Sequence, residues 1–168
     1  MLAVSGGSIP PLLSDLVDLT HTNTDINIQK WKFLFADERC VPLDHADSNF
    51  KLWKETVFDR IPEIDIANSV LFIAHPDDPA VCASDYFSRL SSFLSIDHEI
   101  SMYDGIIDLC LLGMGPDGHT ASLFPGHPLV TAHDQSVVCY LTDSPKPPPN
   151  RITFSLAAIN NAREVCSS

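Results

Sequence analysis

The sequence predicts an α/β protein built on a parallel sheet with helices on both faces, and two features carry that prediction. Short apolar runs suited to strands alternate with segments of helical period, the signature of successive strand–helix units. The run "IIDLCLL" (106–112) is apolar almost throughout, as a central strand covered on both faces should be, and it passes directly into "GMGPDGHTASLFPGHP" (113–128). A strand that ends in glycines and polar residues hands the chain to a loop whose backbone can approach a ligand, and in parallel sheets that end is where ligands bind.

The elements follow in order along the chain. "LAV" (2–4) is a short strand, then "SGGS" leads to a helix whose apolar residues Ile9, Leu12, Leu13, Leu16 and Val17 fall on one face. Ser8 is placed to cap it, and Pro10 and Pro11 fall in the first turn, where a missing N–H costs little. The Gly-Gly loop and the helix start form an anion-binding arrangement of backbone N–H groups. "WKFLFADE" (31–38) reads as a second strand and "SNFKLWKETVFDRI" (48–61) as a helix burying Phe50, Trp53, Val57 and Phe58. A third strand, "SVLFIA" (69–74), precedes a long helix (78–94) expected to bury Ala83, Phe87, Leu90 and Leu94. The central strand spans 105–113. After the glycine loop come "SVVCYLT" (136–142), a stiff connector "SPKPPPN" (144–150), "RITFSL" (151–156) with a short helix, and the beginning of a strand at "REVC".

Composition narrows the function. The 168 residues, 45% hydrophobic, fit one domain over 1–168, in two layers or three. A formal charge of −12 argues against non-specific nucleic-acid binding and against anionic membranes, while a small anionic substrate needs only a few converging basic residues. Five widely spaced cysteines without a C-x-x-C pair read as reduced thiols of a cytosolic-type compartment. No run approaches the length of a membrane span, and the N-terminus lacks the features of a signal peptide. The seven histidines, His98 and His133 among them, never stand three or four apart on a predicted helix, so no metal is expected. No Ser occupies a G-x-S-x-G elbow, which argues against a serine hydrolase.

Three stretches are left to carry chemistry. In the glycine loop, Gly113, Gly115 and Gly118 bare the backbone around Asp117 and His119. At the end of the second strand stand Asp37, Glu38 and Arg39, where an Arg can face the ligand crevice with a carboxylate fixing it. Lys146 and Arg151, two of only ten basic residues, could join Arg39 in compensating a phosphate.

The strings "SGGS", "FADERCVPLDHADSNF", "GMGPDGHTASLFPGHP" and "SPKPPPNRITFSLAAINNA", in this order, closely resemble the 6-phosphogluconolactonase family over nearly the whole chain. The G-x-G-x-D-G-H core is shared with glucosamine-6-phosphate deaminases, whereas "TASLFPGHP" and "SPKPPP" look like the lactonase branch. The resemblance implies a Rossmann-like three-layer sandwich, metal-independent hydrolysis of a phosphosugar lactone to 6-phosphogluconate in the oxidative pentose phosphate pathway, no cofactor, and a cytoplasmic setting. It implies that His119 is the general base toward water, with Asp117 positioning it or balancing its charge. Gly6, Gly7 and Ser8 would cradle an anionic end of the substrate beside Asp37, Gly113 and Gly115. Arg39, with Lys146 and Arg151, would meet the phosphate or the developing oxyanion. Set against that family, the sheet is expected to be incomplete at both termini, with exposed apolar surface and reduced stability. An inactive, partner-dependent remnant is then the alternative to a working lactonase, and a sugar-phosphate isomerase or deaminase is the third reading.

Overall fold

The computed structural model describes residues 1–13, 15–23, 25–94, 107–132 and 136–168; the expected strand positions Gly105 and Ile106, and His98 and His133, lie outside them. β1 (Leu2–Val4) leads into α1 (Ile9–Leu12) and α2 (Asp15–Thr22). Next come β2 (Phe33–Phe35), β3 (Asp37–Arg39), α3 (Asn49–Thr56), α4 (Ile66–Ser69), β4 (Val70–Leu71) and α5 (Pro79–Leu94). β5 (Leu109–Leu112), α6 (Pro128–Thr131), β6 (Val138–Leu141), β7 (Arg151–Phe154), α7 (Leu156–Asn160) and β8 (Glu164–Ser167) follow. Five strands form a parallel sheet in the order β4-β2-β1-β5-β8, and β3-β7-β6 form a second, antiparallel sheet. No described helix is long and apolar enough to cross a membrane.

The pleat of the parallel sheet sorts its side chains into two cores. Leu2, Val4, Phe33, Phe35 and Val70 point to one face, where Ile9, Val17, Phe50, Trp53 and Phe58 cover them. Ala3, Leu34, Leu71, Cys110 and Leu112 point to the other, under Cys82, Ala83, Tyr86 and Leu90 of α5, Ile152 and Phe154 of β7, and Ala158 and Ile159 of α7. The three layers are therefore α1–α3, the parallel sheet, and a composite of α5, the small sheet and α7. Of the residues expected on the core side of α5, Ala83 and Leu90 are buried, but Phe87 and Leu94 are only partly so. Tyr86 takes the deepest place, because its hydroxyl finds a partner there by accepting from Phe35 N at 2.8 Å. The face of β5 toward α1 is not fully covered: Leu109 and Leu111 are half-buried, and Leu12 is 62% exposed.

Two further expectations are corrected. The run 31–38 is two strands in two sheets, divided at Ala36, whose N–H donates to Val4 O (2.8 Å) in the first while its carbonyl accepts from Phe154 N (2.7 Å) in the second. The predicted helix from Ile9 to Val17 is likewise two, α1 and α2, and Leu13 N donates to both Ile9 O and Pro10 O as α1 closes. Ser8 does not cap α1 through its side chain, since its backbone is already helical (φ −79°, ψ −15°).

The charged end of the second strand is buried for a structural reason. Glu38, 0% exposed, accepts from Arg39 N and Asn49 N on Oε1 and from Phe50 N on Oε2, each at 2.7 Å, with the Ser48 hydroxyl donating to Oε2 at 3.3 Å. Its carboxyl thereby satisfies the first free N–H groups of α3. Burial nevertheless pushes the carboxyl from its ordinary 4.5 up to about 7, against the lowering effect of the three N–H groups. The folded chain thus holds this proton through a window in which the unfolded chain has lost it, so the contribution of Glu38 to stability falls as pH rises from 4.5 toward 7. Glu38→Gln should cost about 1–3 kcal/mol in urea unfolding at pH 5, because its NH₂ would face backbone donors. The gap between parent and variant should narrow as pH is raised to 7; a gap that widens would contradict the shift.

Candidate active site

The chain runs from β1 outward to β2 and β4 on one side and returns to β5 on the other, so the order reverses between β1 and β5. A cleft of about 200 Å³ opens there, beyond the carboxyl ends of these strands. Its walls bring together nine of the residues singled out in the sequence. Gly6, Gly7 and Ser8 come from the loop after β1, and Asp37 and Arg39 from β3. Gly113, Gly115 and His119 belong to the loop after β5, and Arg151 opens β7. Asp117 and Lys146 do not line the cleft and stand instead behind His119. Ser5, Met114 and Ala121 complete the wall; only proximity to the glycine loops could have suggested them.

His119 is held on three sides. Its Nδ1 lies 2.6 Å from Asp117 Oδ1, its ring stacks on Phe124 (centroids 4.7 Å apart, planes at 24°), and its carbonyl accepts from Gly115 N at 2.8 Å. Lys146 Nζ donates to the same Asp117 oxygen at 2.9 Å and stands 3.2 Å from His119 Nδ1. A carboxylate so close to Nδ1 favours the tautomer with its proton there, and His119 stands in the cleft wall. His119 first, and then Lys146, hold the Asp117 carboxyl well below the usual carboxylate range.

The two glycine loops differ in what their backbone offers. In the second, Gly113 N donates to Ser5 Oγ (2.8 Å), Met114 N to Ser168 O (3.0 Å) and Gly115 N to His119 O, so these amides are occupied. Gly115 serves instead by being small: a Cβ there would overlap the His119 ring. In the first loop, the N–H groups of Gly6, Gly7 and Ser8 meet no acceptor among the described residues and line the cleft. This loop is pinned from behind by Trp53 Nε1, which donates to Ser5 O at 2.8 Å.

The basic residues are set apart by their partners. Arg39 gives Nη1 to Asp47 O (2.7 Å), while its buried Nε has no protein partner. Arg151 is 2% exposed, and burial, then the charge of Arg39, pull its guanidinium below the ordinary value. Asp37 is buried between Asn49 Nδ2, which donates to its carbonyl at 2.8 Å, and the Ser122 hydroxyl, which donates to Oδ2 at 2.8 Å.

Residues 1–167 match the profile of the glucosamine-6-phosphate isomerases/6-phosphogluconolactonase family. The chain belongs to this family. Among curated 6-phosphogluconolactonases it is 39% identical to the rat protein and 37% to the human one, each match covering 98% of the chain and 61% of the relative. Across such relatives the chain spans between 50% and 64% of their length. Solved 6-phosphogluconolactonases of Thermotoga maritima (TM-score 0.77, 27% identity) and Trypanosoma brucei (TM-score 0.73, 28% identity) superpose on 99% of the chain, which covers 67% of each. The mostly parallel sheet of this family is thus the sheet described above. Gly115→Ala should separate His119 from Asp117 without unfolding the protein, read as changed ring ¹⁵N resonances of His119 beside a near-parent unfolding midpoint. Unchanged resonances would mean that the loop can absorb the methyl group.

Proposed function

We propose that the cleft hydrolyses 6-phosphogluconolactone to 6-phosphogluconate. The observation that carries this reading is the pairing of His119 Nδ1 with Asp117 in the wall of a cleft that also holds Arg39 and backbone N–H groups with no partner among the described residues. Water attacks the lactone carbonyl carbon as its proton passes to Nε2, and Asp117 steadies the imidazolium that forms. The tetrahedral oxyanion then collapses, the bond from the carbonyl carbon to the ring oxygen breaks, and the imidazolium returns the proton to that oxygen. No step calls for a metal.

The anionic end of the substrate belongs on the Gly6–Ser8 amides with the Arg39 guanidinium, since both have donors left over and α1 begins beside them. Three observations support the lactonase reading: the names of the relatives, the placing of Arg39 in the cleft wall of a chain whose overall charge is −12, and the four buried thiols, which suit a reducing, cytoplasmic compartment.

His119→Asn should lower lactone hydrolysis by about 10²–10⁴-fold with the fold retained. A variant that keeps the parent's rate would remove His119 from the mechanism. Arg39→Ala should raise KM for the phosphorylated lactone far more than for gluconolactone itself, and added salt should mimic the change in the parent. Equal losses on both substrates would move Arg39 to the oxyanion or to the scaffold.

A further inference from the structure

The loop 144–150 has a shortage of backbone donors. Four of its seven residues are prolines, so between Pro145 and Pro149 only Lys146 has an N–H. That N–H donates to Ser144 Oγ at 3.3 Å, and Ser144 N reaches Pro149 O at 3.2 Å. Ser144 Oγ donates to Lys146 O at 2.8 Å, and beyond these contacts the loop's carbonyls take donors from elsewhere.

Arg151 supplies them. Its Nε donates to Pro148 O (3.0 Å), and its Nη2 donates to Lys146 O (3.0 Å) and to Pro147 O (3.1 Å). Three successive carbonyls of the loop thus converge on one buried guanidinium. Its remaining nitrogen reaches toward the loop that carries His119: Nη1 donates to Ser122 Oγ at 3.4 Å, and the guanidinium carbon lies 5.7 Å from the centre of the Phe124 ring on which His119 stacks.

We infer that Arg151 is a positioning residue that presents Lys146 to Asp117 and His119, and that it is not a ligand for the substrate's anionic end. The inference rests on the lactonase reading for its kinetic consequence, though not for its geometry. With at least four of its five N–H donors held by the protein, Arg151 has little left for a ligand. Lys146 depends on it, because the ammonium reaches Asp117 only while the carbonyls at 146–148 stay in place.

The test compares the parent chain with Arg151→Lys, Lys146→Met and the double variant. Arg151→Lys keeps the charge and loses the fork. It should lower kcat by up to about 100-fold with little change in KM for the phosphorylated lactone, and the double variant should be no slower than the slower single one. Multiplying losses, or a KM rise confined to the phosphorylated substrate, would make Arg151 a direct ligand and overturn the inference. Labelling by acetic anhydride, followed by peptide mass spectrometry, reads the same point without activity. Lys146 should react more slowly than Lys51 in the parent and several-fold faster in Arg151→Lys; an unchanged ratio overturns the inference. If the parent hydrolyses no lactone, the function reading fails while the labelling still decides. If Arg151→Lys does not fold, hydrogen exchange at the Nε–H groups of the ¹⁵N-labelled parent decides: slow exchange at Arg151 relative to exposed Arg60 is expected, and equally fast exchange overturns it.

Discussion

The Glu38 carboxyl, closed off from solvent, gathers the N–H groups of Arg39, Asn49 and Phe50, and the shape of the cleft depends on that junction. By holding the first turn of α3, it fixes the two side chains that α3 sends to the site. Asn49 reaches the Asp37 carbonyl, and its amide lies so close to Gly6 that a Cβ there would overlap it. Trp53, fully buried, donates to Ser5 O and so sets the path of the first glycine loop. A buried charge is costly, and here the cost is only partly offset by helix N–H groups that would otherwise lack partners, so burial still raises the carboxyl.

The site divides its work between two loops that look alike in the sequence. The loop after β5 closes on itself, with the amides of Gly113, Met114 and Gly115 occupied and Gly115 making room for the His119 ring. The loop after β1 leaves its amides facing the cleft. One loop therefore orients the His119 ring and the other offers positive potential. Ser5 joins them, since its hydroxyl accepts from Gly113 N.

In this strongly acidic chain three of the ten basic residues are gathered beside the cleft. Arg39 and Arg151 stand opposite each other across β3 and β7, and Lys146 lies on the loop that leads into β7. Asp37 keeps the two guanidiniums from acting as an unopposed pair, raising the Arg151 value that Arg39 lowers. The division between an arginine with a free Nε and one tied to carbonyls follows from the prolines, which leave the 144–150 loop with few backbone donors of its own.

What the sequence by itself determined was local. The alternation of strands and helices, the core face of α3 and the glycine-rich setting of His119 all follow from periodicity and turn chemistry within a few residues. The tertiary structure decided which distant groups meet. Lys146 reaches Asp117 across 29 residues, Arg151 turns inward to its own loop, and one apolar run divides between two sheets at Ala36. None of these could be read from spacing, because a buried polar group takes whichever partner the folded chain brings within about 3 Å, and that choice is made by packing between elements rather than by the residues beside it.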